Sequence, residues 1–444
     1  MKKLVKYLFY FWICFFAAIS LMGITRHVYL DGHTVNGRSK GIVTFLASLP
    51  SNLYHFKDLN ECQFLVKNEF DLKNGFTYNK KINIPNDYLL ISVWDKNENQ
   101  SIVKLLSIKT GKILYKWKIN VNDLNQNYNR YFTNDKKNYQ NNLSTRIFHP
   151  YLFNNGDLLF IGGGLNKVDK NSKTLWGFPN FKAHHSIEKY QENEFWVCTQ
   201  NNNLSLANKY HIKDDCITKI NIKTGKIIYN KSIFEILIQN GYNLGEILIN
   251  TDLENNHKYI DYFHLNDIQP VLFDSKYWKK GDVFISLRNK NMILLFRPST
   301  NKIIWKKIGP WLKQHDITIL DSCKIGLFNN DIIDGKFDNP NKTFLNQTNN
   351  HCIYDFEKNN TISSYSKIFK SAKIKTIIEG HSLTLKNGNI FIEETTKGRL
   401  LFGNEKGLIW TYIEKIDNEH LSMFSWSRYI TEEEFSKFTF LKNK

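Results

Sequence analysis

Histidines stand at the head of successive short apolar runs, at His149, His184-His185, His264, His315 and His381, and an arginine, Arg288, ends another such run. Imidazole is the side chain that can serve near neutral pH as nucleophile, proton donor or proton acceptor. A guanidinium presents a planar fork of donors that suits a multi-oxygen anion. His264 lies beside Asn266 and Asp267, and His315 lies between Gln314 and Asp316. If these groups share one pocket, they can hold an anionic group while a histidine attacks it. The plainer alternative makes the histidines, His149 and His381 above all, hydrogen-bonding residues between neighbouring structural units. For Arg288 the plainer alternative is a buried pair with Asp267 or Asp316.

What must position them is a repeat. The stretch from His264 to Asp316 has a strand-like start, a Gly281-Asp282 turn, Val283 to Arg288, a third run, Ile303-Ile304-Trp305, and then Gln314-His315-Asp316 begins again. Units of roughly 45 to 55 residues with four short strands are the signature of propeller blades. The others begin near Tyr88, His149, His184, His315 and His381, with Asn-Gly or Thr-Gly pairs such as Asn155-Gly156, Thr224-Gly225 and Asn387-Gly388 at hairpin turns. The fold expected is all-β, a six-bladed β-propeller over 85–416, with five or seven blades possible if the N-terminal region adds strands. Residues 417–444, with Thr431 and Glu434 as a helix-start pair, close the ring as a strand or short helix. First strands of blades line a common channel, so residues far apart in sequence converge there.

Residues 1–24 form a separate segment. Lys2, Lys3 and Lys6 precede an uncharged apolar run over 8–24, at the lower limit for spanning a bilayer. The expectation is an uncleaved anchor rather than a cleaved signal peptide, with the remainder exported to the periplasmic side of the inner membrane. Residues 25–84 read as a membrane-proximal lead-in, ambiguous over 41–49 and helical over 51–65. Export permits disulfides, and Cys198 at the end of one strand could meet Cys216 at the start of the next. The chain carries 60 basic against 42 acidic residues, a formal charge of +18. The lysines are scattered through turns rather than gathered into a basic helix, so nucleic acid is not an expected partner.

The series His184-His185, His264-Leu265-Asn266, Ser286-Leu287-Arg288-Asn289, Gly309-Pro310-Trp311 and Gln314-His315-Asp316 resembles the bacterial arylsulfotransferase (aryl-sulfate sulfotransferase-like) propellers. The resemblance covers about 85–416 and implies an exported enzyme that moves a sulfuryl group from an aryl sulfate to a phenolic acceptor. It implies ping-pong transfer through a sulfated histidine, with no nucleotide donor and no cofactor. On the matching positions His315 is the nucleophile, while His264, Arg288 and His185 or His184 hold the sulfate oxygens. His264 as imidazolium would protonate the leaving phenolate, and Asp316 or a backbone carbonyl would fix the far nitrogen of His315. Asn266, Asp316, His381 and His149 are further candidates for contact with substrate. A homodimer is one arrangement the resemblance allows.

Two other readings compete. A noncatalytic envelope propeller, a scaffold or an anion-binding protein, would use the same pocket without turnover. A quinone-cofactor dehydrogenase shares the Thr-Gly-Lys-Ile and Ile-Trp patterns but requires a calcium site of clustered acidic oxygens that the sequence does not display. Without a His-x-His or Cys-x-x-Cys spacing, no metal site is expected either.

Overall fold

The computed structural model describes residues 2–30, 64–79, 84–124, 145–178, 182–201, 209, 212–249, 260–333 and 343–442. The chain divides into two units, 1–63 and 64–444. In the first, Lys2–Leu30 is a single helix. Its Val5–Gly23 stretch, 19 residues of mean hydropathy 1.8, is long and apolar enough to cross a membrane. The readings made for 41–49 and 51–63 lie outside the described residues.

The second unit is a six-bladed β-propeller whose blades are antiparallel sheets of short strands. The second blade is Phe148–Leu152, Leu158–Ile161, Leu165–Val168 and Thr174–Phe178; the third is Ala183–Gln191, Glu194–Asn201, Asp214–Asn221 and Lys226–Ser232. The fourth runs Leu265–Pro270, Val283–Leu287, Met292–Arg297 and Lys302–Ile308, and the fifth His315–Ile319, Lys324–Asn329, Asn350–Asp355 and Asn360–Ser364. The sixth, His381–Thr384, Ile390–Glu394, Arg399–Asn404 and Gly407–Ile413, gains Gly75–Tyr78 on its outer edge without a blade being added. The first blade is composite. Tyr88–Asp95, Gln100–Ser107 and Ile113–Lys118 receive their innermost strand from the C-terminal end, where Arg428 pairs with Leu90 and Ile430 with Tyr88. A short helix, Glu432–Phe435, follows, opened by a capping box of Thr431 and Glu434.

The hairpins need backbone that only small or polar residues adopt readily. Gly156 has φ +90°, and a Cβ there would meet Phe440 and Lys170 at 2.8 Å. Between blades the core is aromatic and aliphatic, with Trp117, Trp196, Trp278, Trp311 and Trp410 fully buried. Cys198 and Cys216 are not bridged, which corrects the pairing suggested by their strand ends. Cys198 stands opposite Ile217 and Cys216 opposite Thr199. That one-residue offset sends the two thiols to opposite faces of the sheet.

From Arg428–Ile430 through blades two to six each innermost strand touches the next, and side chains sew neighbouring blades together. His149 Nδ1 accepts the Ile187 N–H at 2.9 Å, and Ser186 Oγ accepts that of Ile268 at 3.1 Å. Asp267 accepts the N–H of Ile317 at 2.6 Å, and Asp316 that of Ser382 at 2.9 Å. Glu393 closes the series by accepting from Trp426 at 2.9 Å and Ser427 at 2.6 Å. Alongside these staples the inner strands of blades two to five are bulged, with register breaks at Phe148/Tyr151, His184/Ile187, Leu265/Asp267 and His315/Ile317. His149, His185, His264 and Asp316 hold positive φ, between 48° and 57°. Such backbone is costly for residues other than glycine and is retained where it re-aims a side chain.

Candidate functional site

The histidines fall into two groups. His185 and His315 each precede a stapling residue, Ser186 and Asp316, by one position, and His264 precedes Asp267 by three. These three converge: the His185 and His264 rings lie 5.0 Å apart centre to centre, and those of His185 and His315 6.4 Å. His184 packs edge-on against His185 at 5.0 Å. Arg288 belongs to the same cluster, since its charge bears on both His264 and His315. It starts the 3₁₀ turn Arg288–Lys290 after strand Val283–Leu287. Its backbone N–H donates to the His264 carbonyl at 3.1 Å, and its guanidinium donates to Asn289 Oδ1 at 2.7 Å. Asp267 and Asp316, the carboxylates considered for it, serve as staples instead.

His315 is 1% exposed. Its Nδ1 meets Asn330 Oδ1 at 2.7 Å and the Lys313 carbonyl at 3.1 Å. Both are acceptors, so Nδ1 carries the proton and Nε2 keeps its lone pair. Asn330 is oriented in turn by its own amide, which donates to the carbonyls of Glu379 at 2.9 Å and Thr376 at 3.3 Å. Burial, followed by the charge of Arg288, holds the His315 imidazole well below its ordinary pKa. It is therefore neutral at physiological pH, the form a nucleophile needs.

His264 is clamped by Asp261, whose carboxylate accepts from Nδ1 at 2.9 Å and from the His264 backbone N–H at 2.8 Å. Lys213 reaches the same carboxylate at 2.8 Å. Burial would raise the Asp261 pKa, but the His264 hydrogen bond and charge, with Lys213, override it and hold the carboxyl below its ordinary value. For His264 burial outweighs the pull of Asp261, so its pKa is lowered. The neutral ring, rather than the imidazolium expected for leaving-group protonation, is its resting form.

On the other side, His184 and His185 share a contact between their Nδ1 atoms at 2.7 Å. Behind them His184 Nε2 lies 3.5 Å from Asp215 Oδ1, and neither atom has a conventional hydrogen bond, though both are buried. Burial, then His264, lowers His185 well below its ordinary pKa, and burial, then Lys213, lowers His184 to about 3. Burial, then Asp261, raises Asp215 well above the carboxylate range, although its Oδ2 accepts the Leu265 N–H at 2.8 Å.

The remaining candidates lie between blades. His149 is a staple with Glu188 3.2 Å from its Nε2, and it stacks on Trp426 at 5.0 Å. His381 bridges to the Ser427 carbonyl at 2.7 Å through Nε2 and faces Asp316 at 3.4 Å through Nδ1. Asn266 is fully buried; its amide donates to the Gln314 carbonyl at 2.7 Å, while Oδ1 has no partner. Asp215, Asp261, Lys213 and Asn330 are residues the sequence did not single out. Among the described residues no group of three or more His, Cys, Asp or Glu side chains is arranged to hold a metal ion.

The fold and this cluster define a propeller whose inner strands bring three histidines together near Arg288. Residues 152–415 match the model of the arylsulfotransferase (ASST) family. The chain belongs to that family. Among curated proteins none matches it. Similar solved structures share little sequence with it. TolB from Acinetobacter baumannii is 7% identical over 80% of this chain and 69% of its own, with a TM-score of 0.44. Virginiamycin B lyase from Staphylococcus aureus is 12% identical over 61% and 71%, with a TM-score of 0.34. The Pan2 WD40 domain of Neurospora crassa is 7% identical over 79% and 99%, with a TM-score of 0.36.

Proposed function

We propose that this sulfotransferase-like protein moves a sulfuryl group from an aryl sulfate to a phenol through a sulfohistidine at His315. One observation carries the reading: a neutral His315, its Nδ1–H tied to Asn330 and Lys313, keeps its Nε2 lone pair beside the His185 ring and within the field of Arg288. The Nε2 lone pair attacks sulfur as the bond to the aryl oxygen breaks, and the phenolate leaves with a proton. In the second half an incoming phenol loses its proton, attacks the same sulfur and breaks the N–S bond.

Sulfuryl transfer resembles phosphoryl transfer in spreading charge over equatorial oxygens, so positioning and cationic stabilisation matter more than a strong base. Arg288 supplies donors to those oxygens, and the rigid bulged strands around it limit reorganisation. The N-terminal helix anchors the exported chain in the inner membrane, with the propeller on the periplasmic side.

The test is to incubate the full-length protein with an aryl sulfate in the absence of acceptor and look by mass spectrometry for sulfate on His315. His315→Ala is expected to carry none and to lose turnover. Wild-type rates in that variant would remove His315 as the nucleophile, and anion binding without any turnover by the wild-type chain would leave a noncatalytic binding propeller.

A further inference from the structure

We propose that Asp215, His184 and His185 form a proton relay that ends on the substrate's phenolic oxygen, delivering its proton in one half-reaction and reclaiming it in the other. This rests on the sulfuryl-transfer reading above and supplies the proton step that a neutral His264 leaves open.

The geometry is a line of three groups. Asp215 Oδ1 and His184 Nε2 are buried 3.5 Å apart, and neither atom makes a hydrogen bond of good geometry to another group. The next link, between the Nδ1 atoms of His184 and His185, is 2.7 Å and must contain a proton. With its Nδ1 engaged, His185 has only Nε2 left for substrate. Hydrogen bonds of this kind are often long in an empty site and tighten around substrate, so the 3.5 Å gap is the one expected to close.

Protons balance along the line. In the loaded state Asp215 is a carboxylic acid whose Oδ1–H faces His184 Nε2, His184 Nδ1–H points to His185 Nδ1, and His185 Nε2 carries a proton. When the phenolate leaves sulfur it takes that Nε2 proton, His184 passes its Nδ1 proton to His185 Nδ1, and Asp215 protonates His184 Nε2. Asp215 ends as a carboxylate, and both imidazoles have changed tautomer without becoming cations. The acceptor phenol then runs every transfer backwards. Burial of Asp215, which favours its acid form, makes the loaded state the resting one. The charged and titratable groups around the line are Asp214, Lys213, Asp261, His264 and His315. Asp215 and His184 are positioning residues that act through His185.

The test uses the full-length chain in detergent with a series of aryl sulfates whose phenols differ in acidity. Asp215→Asn is expected to lower kcat/KM by about 10²-fold or more on phenyl sulfate, where the leaving oxygen needs its proton, and by less than about fivefold on 4-nitrophenyl sulfate. An equal fall across the series, as from a merely structural defect, overturns the relay while leaving the sulfotransferase reading intact. Absence of turnover by the wild-type chain overturns that reading itself. Should the variant not fold, solid-state ¹⁵N spectra of histidine-labelled wild type decide. A neutral His184 protonated at Nδ1 and bare at Nε2 is expected; protonation at Nε2 in the resting protein overturns the proposal.

Discussion

His315 combines two properties that oppose each other in water: an unprotonated nitrogen and a neighbouring cation that attracts the substrate anion. Burial settles the conflict by removing the imidazolium before Arg288 is counted, and Arg288 then pushes the pKa further down. For a nucleophile that must be neutral, a pKa held below 6.5 means activity persists as pH falls through the ordinary histidine range and fails only lower. Arg288→Gln removes the second cause, so the acid limb of its kcat/KM profile is expected at higher pH than in the wild type, together with a raised KM for aryl sulfate. An unmoved acid limb would separate Arg288 from His315. Asn330→Ala leaves the ring free to turn and to change tautomer. A loss of about 10²-fold in kcat/KM is the expected outcome, since misplacement by about 1 Å carries that cost, together with a lowered unfolding midpoint because the buried Glu379 and Thr376 carbonyls lose their donor; steady-state kinetics beside thermal unfolding would check it. The sequence offered Asp316 or a carbonyl for this role, and the structure puts the Asn330 amide and the Lys313 carbonyl there. Asn330 follows the strand Lys324–Asn329, and nothing local in an Asn-rich stretch marks which amide turns inward.

At the scale of strands, the staples explain why the histidine pattern was legible and its meaning only half so. Period, turn residues and apolar runs located the blades, because each hairpin must solve the same local problem. The bulges were not legible: an extra residue in an inner strand leaves no compositional trace, yet it shifts every side chain beyond it to the other face. Place relative to the staples separates the histidines: His185 and His315 each precede a stapling residue, whereas His149 is itself a staple and His381 bridges to the Ser427 carbonyl. Asp261 and Asp215 were missed for a related reason, because one lies in the connection before His264 and the other on a third strand, so only the closed ring brings them to the histidines. The staples themselves are testable. Asp267→Ala leaves the buried Ile317 N–H without an acceptor and is expected to lower stability by roughly 1–3 kcal/mol. Asp267→Asn keeps an oxygen in place and should cost less. Chemical denaturation of both variants gives the ranking, and equal values would mean that the staple contributes little.

For the molecule as a whole, the histidine cluster forms only if the ring closes, and closure depends on a strand from the far end of the chain. Arg428–Ile430 pairs with Tyr88–Leu90, while Glu393 accepts the two N–H groups just before that strand. Arg146 ties the same corner: it holds Glu379 through two 2.9 Å contacts and donates to the Phe424 carbonyl. Bringing such distant segments together costs entropy that grows only slowly with the length of the loop, whereas the open form exposes the inner edge of the first blade. An unpaired, apolar edge such as Leu89-Leu90-Ile91 is a template for association between copies. A chain ending at Met423 is therefore expected to lose its cooperative thermal transition and to sediment as aggregates in detergent, with the full-length chain monodisperse beside it. A truncated chain that stayed monodisperse with the same midpoint would show that the ring holds without its last strand.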